Sequence, residues 1–133
     1  MDNASWVLQL LGRLHPLLVH FPVGLLVVAF VLELVTVRGK QKGLREGINW
    51  MVYIGAVTAI ITALFGWLLE EQEDYQGSLV ENHEFAGILT AVLASITALT
   101  LCRTLRGKSN SLLLYRLLLT STVVALTIAG HFG

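Results

Sequence analysis

Four stretches of this chain are each apolar for about as long as a helix needs to cross a bilayer. Hydrocarbon some 30 Å thick asks for roughly 20 helical residues. The blocks run about 16–37, 48–69, 85–102 and 112–130, separated by short polar connections. Of the 133 residues, 55% are hydrophobic and 14% charged, and the mean hydropathy is +0.72. Soluble domains average about 45–50% apolar and about 25% charged residues, so the departure is toward the membrane. The expected fold is all-α: a single-domain integral membrane four-helix bundle spanning residues 1–133, with a short interfacial segment at its N-terminus. No internal repeat or low-complexity tract stands out.

Several function classes fall away at once. The net charge is zero, which gives no footprint for nucleic acid. Cys102 is the sole cysteine, so the chain forms no intrachain disulfide, CxxC redox pair, cysteine-rich zinc site or covalently attached c-type haem. Cys102 itself reads as packing. The start, Met1-Asp2-Asn3-Ala4-Ser5, is acidic and leads into too long an apolar run for a cleavable signal peptide.

Residues 5–14 read as an amphipathic lead-in, with Trp6 and Arg13 suited to an interface. Pro16 fits the first turn of span one, and Pro22 is expected to bend that helix without breaking it. Trp50 and Trp67 flank span two as belt residues. Glu70 to Asn82 reads as an acidic loop, with a turn at Tyr75-Gln76-Gly77. Eight of the nine Lys and Arg residues lie in or beside the 1–2 and 3–4 connections. The positive-inside rule then puts both connections in the cytoplasm, with the termini and the acidic loop outside. Glu33 and Arg116 fall at similar depth near the inner end, where an ion pair satisfies both. The ending at His131-Phe132-Gly133 carries no polar flank, and the natural chain is expected to continue past it.

On that topology all four histidines share the outer end: His15 and His20 on span one, His83 before span three, and His131 after span four. Imidazole against hydrocarbon is costly unless something binds it. Gly24 and Gly87 lie four residues beyond His20 and His83, beneath them on the same helix faces, and Gly66 lies at comparable depth. Glycine under histidine leaves room for a flat ligand, as in a haem b held by axial histidines from two helices. Arg13, the outer cation, is placed to meet a propionate.

The segments His15-Pro16-Leu17-Leu18-Val19-His20-Phe21-Pro22-Val23-Gly24, Phe65-Gly66-Trp67-Leu68-Leu69, His83-Glu84-Phe85-Ala86-Gly87-Ile88 and Ala129-Gly130-His131-Phe132-Gly133 resemble an uncharacterised family of bacterial membrane domains marked by an H-P-x-x-V-H-F-P opening. The likeness covers nearly the whole chain. It departs at Glu84-Phe85, where that family commonly has an aromatic and a basic residue after the histidine. Members are often fused to, or encoded beside, c-type cytochrome domains. The resemblance therefore implies a respiratory or electron-transfer setting on the outer face of the bacterial inner membrane, without supplying an activity.

The leading expectation is a membrane subunit that binds haem b and passes electrons between the quinone pool and a periplasmic cytochrome or larger respiratory complex. His20, His83 and His131 are its candidate axial ligands, His15 is a fourth ligand or a supporting donor, and Arg13, Gly24 and Gly87 shape the pocket. The alternatives are copper or zinc on the same four histidines, or a cofactor-free membrane anchor that holds a larger complex.

Overall fold

The computed structural model describes residues 3–38, 42–73, 77–107 and 111–133. The expected Tyr75-Gln76 turn and the loop cations Lys40 and Lys108 lie outside the described residues. Among the described residues six helices follow in order: α1 (Asn3–Arg13), α2 (His15–Leu18), α3 (His20–Arg38), α4 (Lys42–Glu73), α5 (Ser78–Leu105) and α6 (Leu112–Phe132). Four stretches are long and apolar enough to cross a membrane: Trp6–Val37, Gly43–Glu71, Ser78–Leu105 and Leu112–Phe132. The all-α membrane bundle expected from the sequence is the fold found.

Prolines explain how the first span is divided. Each lacks an N–H, so Pro16 and Pro22 leave the carbonyls four residues earlier without their helical partner. Pro16 sits in the first turn of α2, as expected. At the junction Val19 keeps helical angles (φ −58°, ψ −27°), with its N–H on the His15 carbonyl and its own carbonyl taking the Val23 N–H. Pro22 therefore bends a continuous path. Further along, Gly107 ends α5 at φ 69°, a left-handed angle natural to glycine, and the Ser111 hydroxyl caps α6 by accepting the Leu114 N–H at 3.1 Å.

Helix lengths differ from the sequence expectation at the acidic connection. Glu70 and Glu71 belong to α4, and Glu81, Asn82 and His83 to α5. The expected loop over Glu70–Asn82 is thus mostly helix, and His83 lies in the second turn of α5 rather than ahead of it. Short loops force antiparallel neighbours, and the four long helices close a ring: α3 on α4, α4 on α5, α5 on α6, and α6 back on α3. α1 folds over the end of α4, where a Cβ on Gly12 would stand 3.0 Å from the Leu69 Cα. Only glycine lets the two backbones approach that closely.

The interior is recognised by residue size more than by polarity, because lipid is as apolar as leucine. Ala56, Ala59, Ala91, Ala94, Ala125 and Ala129 are buried, while Leu99, Leu113 and Phe85 are 65–70% exposed on the outer surface. Thr97 and Thr122, both fully buried, meet between α5 and α6 with hydroxyls 3.0 Å apart.

Candidate functional site

Two polar clusters stand at opposite ends of the bundle. Eighteen residues separate His15 from Glu33, about 27 Å along a helix. At one end Glu33 is 2% exposed and receives three side chains. Arg45 binds it bidentately, Nη1 to Oε2 at 2.7 Å and Nη2 to Oε1 at 3.1 Å. Arg116 donates from Nε to Oε1 at 2.8 Å, and the buried Tyr115 hydroxyl donates to Oε2 at 3.3 Å. The expected Glu33–Arg116 pair is present. Arg45, read from sequence as a loop cation, is its second partner, because α4 already begins at Lys42 and carries Arg45 inward. A carboxylate meeting two cations and a hydroxyl is a structural tie, with no acceptor oxygen left over for chemistry.

The opposite end holds the histidines, and the structure sorts them into two kinds. His15 and His83 are half-buried and stand with ring centroids 6.0 Å apart and planes at 87°. His15 donates from Nδ1 to the Thr62 carbonyl on α4 at 2.9 Å, and His83 donates from Nδ1 to the Ala129 carbonyl on α6 at 2.8 Å. A carbonyl oxygen only accepts, so in each ring Nδ1 carries the proton. In the neutral ring this leaves the Nε2 lone pair uncommitted. His20 and His131 are exposed: the first has Nδ1 3.3 Å from the Leu17 carbonyl, the second packs on Phe132 with centroids 5.5 Å apart.

A glycine one turn beyond each acceptor carbonyl makes both contacts possible. A Cβ on Gly66 would lie 2.9 Å from His15 Cε1, and one on Gly133 would lie 2.6 Å from His83 Cε1. Gly24 and Gly87, the glycines singled out from sequence, would meet nothing within 4 Å, although Gly87 does line the cavity. The two contacts also expose a repeat that the sequence did not announce. His15 reaches 47 residues forward to Thr62, and His83 reaches 46 forward to Ala129. Each acceptor is followed four residues later by the glycine of a Phe-Gly pair, Phe65-Gly66 or Phe132-Gly133. The two helical hairpins thus carry the same device, and the paired Phe-Gly steps were the signal available beforehand.

A cavity of about 310 Å³ opens beside the ring pair, lined by Gly66, Trp67, Glu70, Glu84, Gly87 and others. A second cavity, of about 50 Å³, lies on the inner side of the pair among Ala59, Thr62, Thr90 and Ala129. Thr62 is 5% exposed, and its hydroxyl has no hydrogen-bond partner. Among the described residues no three His, Cys, Asp or Glu side chains gather with metal-binding geometry. Of the four histidines named from the sequence, His15 and His83 stand ring to ring, and His20 and His131 lie apart from that pair on exposed faces. Arg13 closes α1, its side chain exposed, two residues before His15.

Fold and site together define a four-span membrane protein with a histidine pair held between two hairpins at one end. The chain belongs to the family described as Predicted membrane protein (DUF2231), which matches residues 13–133. No curated protein and no solved structure matches it.

Proposed function

We propose that the protein is a membrane electron-transfer subunit that holds haem b between His15 and His83 at the outer end of the bundle. The observation that carries this reading is the imidazole pair: perpendicular rings, 6.0 Å between centroids, both Nδ1 atoms bound to backbone. His15 and His83 would hold the group, each through the Nε2 that its backbone hydrogen bond leaves uncommitted. The residues present fit such a group in two further ways. Anchoring Nδ1–H to a carbonyl fixes the tautomer and raises the basicity of the other nitrogen, the usual support for a ligating histidine. Small residues, among them Ala63, Gly87 and Ala129, line the space on either side of the rings.

When bound, the haem would supply one-electron transfer, its potential tuned by axial ligation and burial. The chain's own part is to hold two rings in fixed orientation, to exclude water with apolar helix faces, and to offer Arg13 to a propionate. His20 and His131, both exposed, move from leading ligands to bystanders in this reading. Loop charge orients the bundle with the histidine end outward, so the setting is a bacterial inner membrane with both termini periplasmic. The partners are then the quinone pool and a periplasmic c-type cytochrome or larger respiratory complex.

Copper is the second reading, favoured over zinc by the donor count: structural zinc asks for four ligands and catalytic zinc for three, whereas His15 and His83 offer two imidazoles. The deciding experiment is an absorption spectrum of detergent-purified protein, oxidised and then reduced with dithionite. A Soret band that sharpens on reduction, with a distinct α-band, is expected. It should be lost in His15→Ala and His83→Ala and kept in His20→Ala. A featureless spectrum from protein made with ample haem overturns the reading. Metal analysis then separates copper from a cofactor-free anchor.

A further inference from the structure

The cavity beside the histidines does not end at the helix surface. Ala63, Trp67, Glu84 and Ile88 line it and also line a groove of about 570 Å³ that runs down the outside of α4 and α5 toward Ile96. The groove is apolar apart from Ser95 near its far end, whose hydroxyl is spent on the Ala91 carbonyl at 2.7 Å, and from Glu84 and Trp67 at the end where it meets the cavity. There Glu70 and Glu84, both half-buried, lie close enough to interact directly. A molecule that lies in the groove with its head at the shared mouth must have a hydrocarbon tail between two helices and a compact head among carboxylates. It must also enter sideways from the bilayer.

We propose that the groove, together with the mouth it shares with the cavity, binds an isoprenoid quinol, its ring beside Trp67, a hydroxyl donating to the Glu84 carboxylate, and its tail between α4 and α5, leaving the space between the histidine rings to the haem. Charge selects the head. Two carboxylates at the mouth repel the phosphate of a lipid headgroup, whereas a neutral ring with hydroxyl donors gains acceptors that are only partly hydrated. The tail follows from the lining, since Ile60, Leu64, Ile88, Val92 and Ile96 offer hydrocarbon and no further charge along the groove. The site places such a molecule next to the histidine pair without using either ring nitrogen. It gives a location to the quinone side of the electron-transfer reading above and rests on that reading for its physiological sense. Binding itself does not need the haem.

The test uses the full chain in phosphatidylcholine nanodiscs, titrated with decylubiquinone and its reduced form, with tryptophan fluorescence as readout. Saturable quenching is expected, because a quinone ring held against Trp67 quenches it at full occupancy. Trp67→Phe should remove the saturable component, and Trp50→Phe should leave it. Glu84→Gln should weaken the quinol by about tenfold, because the amide oxygen still accepts but without the charge that strengthens the bond to a carboxylate. Ile88→Trp, which plugs the groove from the lipid side, should abolish saturation without altering the polar mouth. Quenching that rises linearly with quinone, as for simple partition or an acyl chain in the groove, overturns the proposal. So does a saturable component that survives Trp67→Phe, or an affinity unchanged in Glu84→Gln. Saturation in protein that stays free of haem when made with ample haem sinks the haem and keeps this site; linear quenching in a haem-bearing preparation does the reverse.

Discussion

Replacing Gly66 by alanine puts the histidine geometry under direct strain. The new Cβ would lie 2.9 Å from His15 Cε1 and 3.0 Å from Nδ1, where unstrained carbon contacts need about 3.5–4.0 Å. The ring must therefore retreat by about half an ångström or more. It is not free to do so, because Nδ1 is tied at 2.9 Å to the Thr62 carbonyl one turn below on the same helix. Overpacking of this kind costs about 1–3 kcal/mol, and a loosened hydrogen bond about 1 kcal/mol more. Alanine returns up to about 1 kcal/mol through its helix propensity. The net expectation is a destabilisation of about 1–3 kcal/mol, measured by reversible unfolding in detergent. Gly24→Ala is the internal control. Nothing stands within 4 Å of its Cβ, so it should match or exceed the wild type. If Gly66→Ala unfolds no more readily than Gly24→Ala, the His15–Gly66 contact is not close-packed and the reasoning fails.

At the other end of the bundle, Glu33→Gln removes the charge that two guanidinium groups share. Both arginines keep about 30% side-chain exposure, so they remain partly hydrated and the loss should be about 2 kcal/mol rather than the 3–5 of a fully buried pair. Arg116→Gln should cost about half as much, since Arg45 still holds both carboxylate oxygens; equal losses would show that the pairs are not nested in this way. Thr97 and Thr122 each give their one hydroxyl proton to a carbonyl of their own helix, at 2.7 and 2.8 Å. A double-mutant cycle with valine should therefore find coupling of no more than about 0.6 kcal/mol, and a value above 1.5 would mean a true cross-helix bond. Thr62→Val should leave unfolding unchanged or shift it upward by about 1 kcal/mol, because the buried hydroxyl it removes has no partner. A clear loss of stability would mean that the hydroxyl is satisfied in solution.

The spans were legible because apolar length is a one-dimensional property, and the Glu33–Arg116 pair because depth can be counted along a helix. Which face a residue takes is harder, since a lipid-exposed face and a packed face are both apolar and leave no moment to read. Residue size carries the information instead. His83 shares its stripe with Ala86, Thr90, Ala94 and Thr97, a run of small buried residues. His131 shares its stripe with Ile128 and Val124, which are 46% and 53% exposed. Arg45 could have been turned inward by the same logic, for it precedes the buried Ile48 and Val52 by three and seven residues. The glycines illustrate the limit. Intrahelical spacing pointed to Gly24 and Gly87, each beneath a histidine on its own helix, but the glycines that matter belong to the partner helix of each hairpin. No count along one helix can reveal that relation.

Each histidine is anchored inside its own hairpin, His15 from α2 to α4 and His83 from α5 to α6. Neither hairpin borrows a hydrogen bond from the other to set its ring. Half a site is therefore complete in each half of the molecule, and the whole exists only where the halves dock. Whatever occupies the space between the rings acts as a clasp, and its affinity is thermodynamically linked to the association of the hairpins: occupancy tightens the bundle by as much as docking strengthens occupancy. The same arrangement is what two copies of a single ancestral hairpin would form by facing each other across a two-fold axis, with one histidine used twice. The inner end does not share that symmetry: Glu33 takes one arginine, Arg45, from its own hairpin and the other, Arg116, from across the seam.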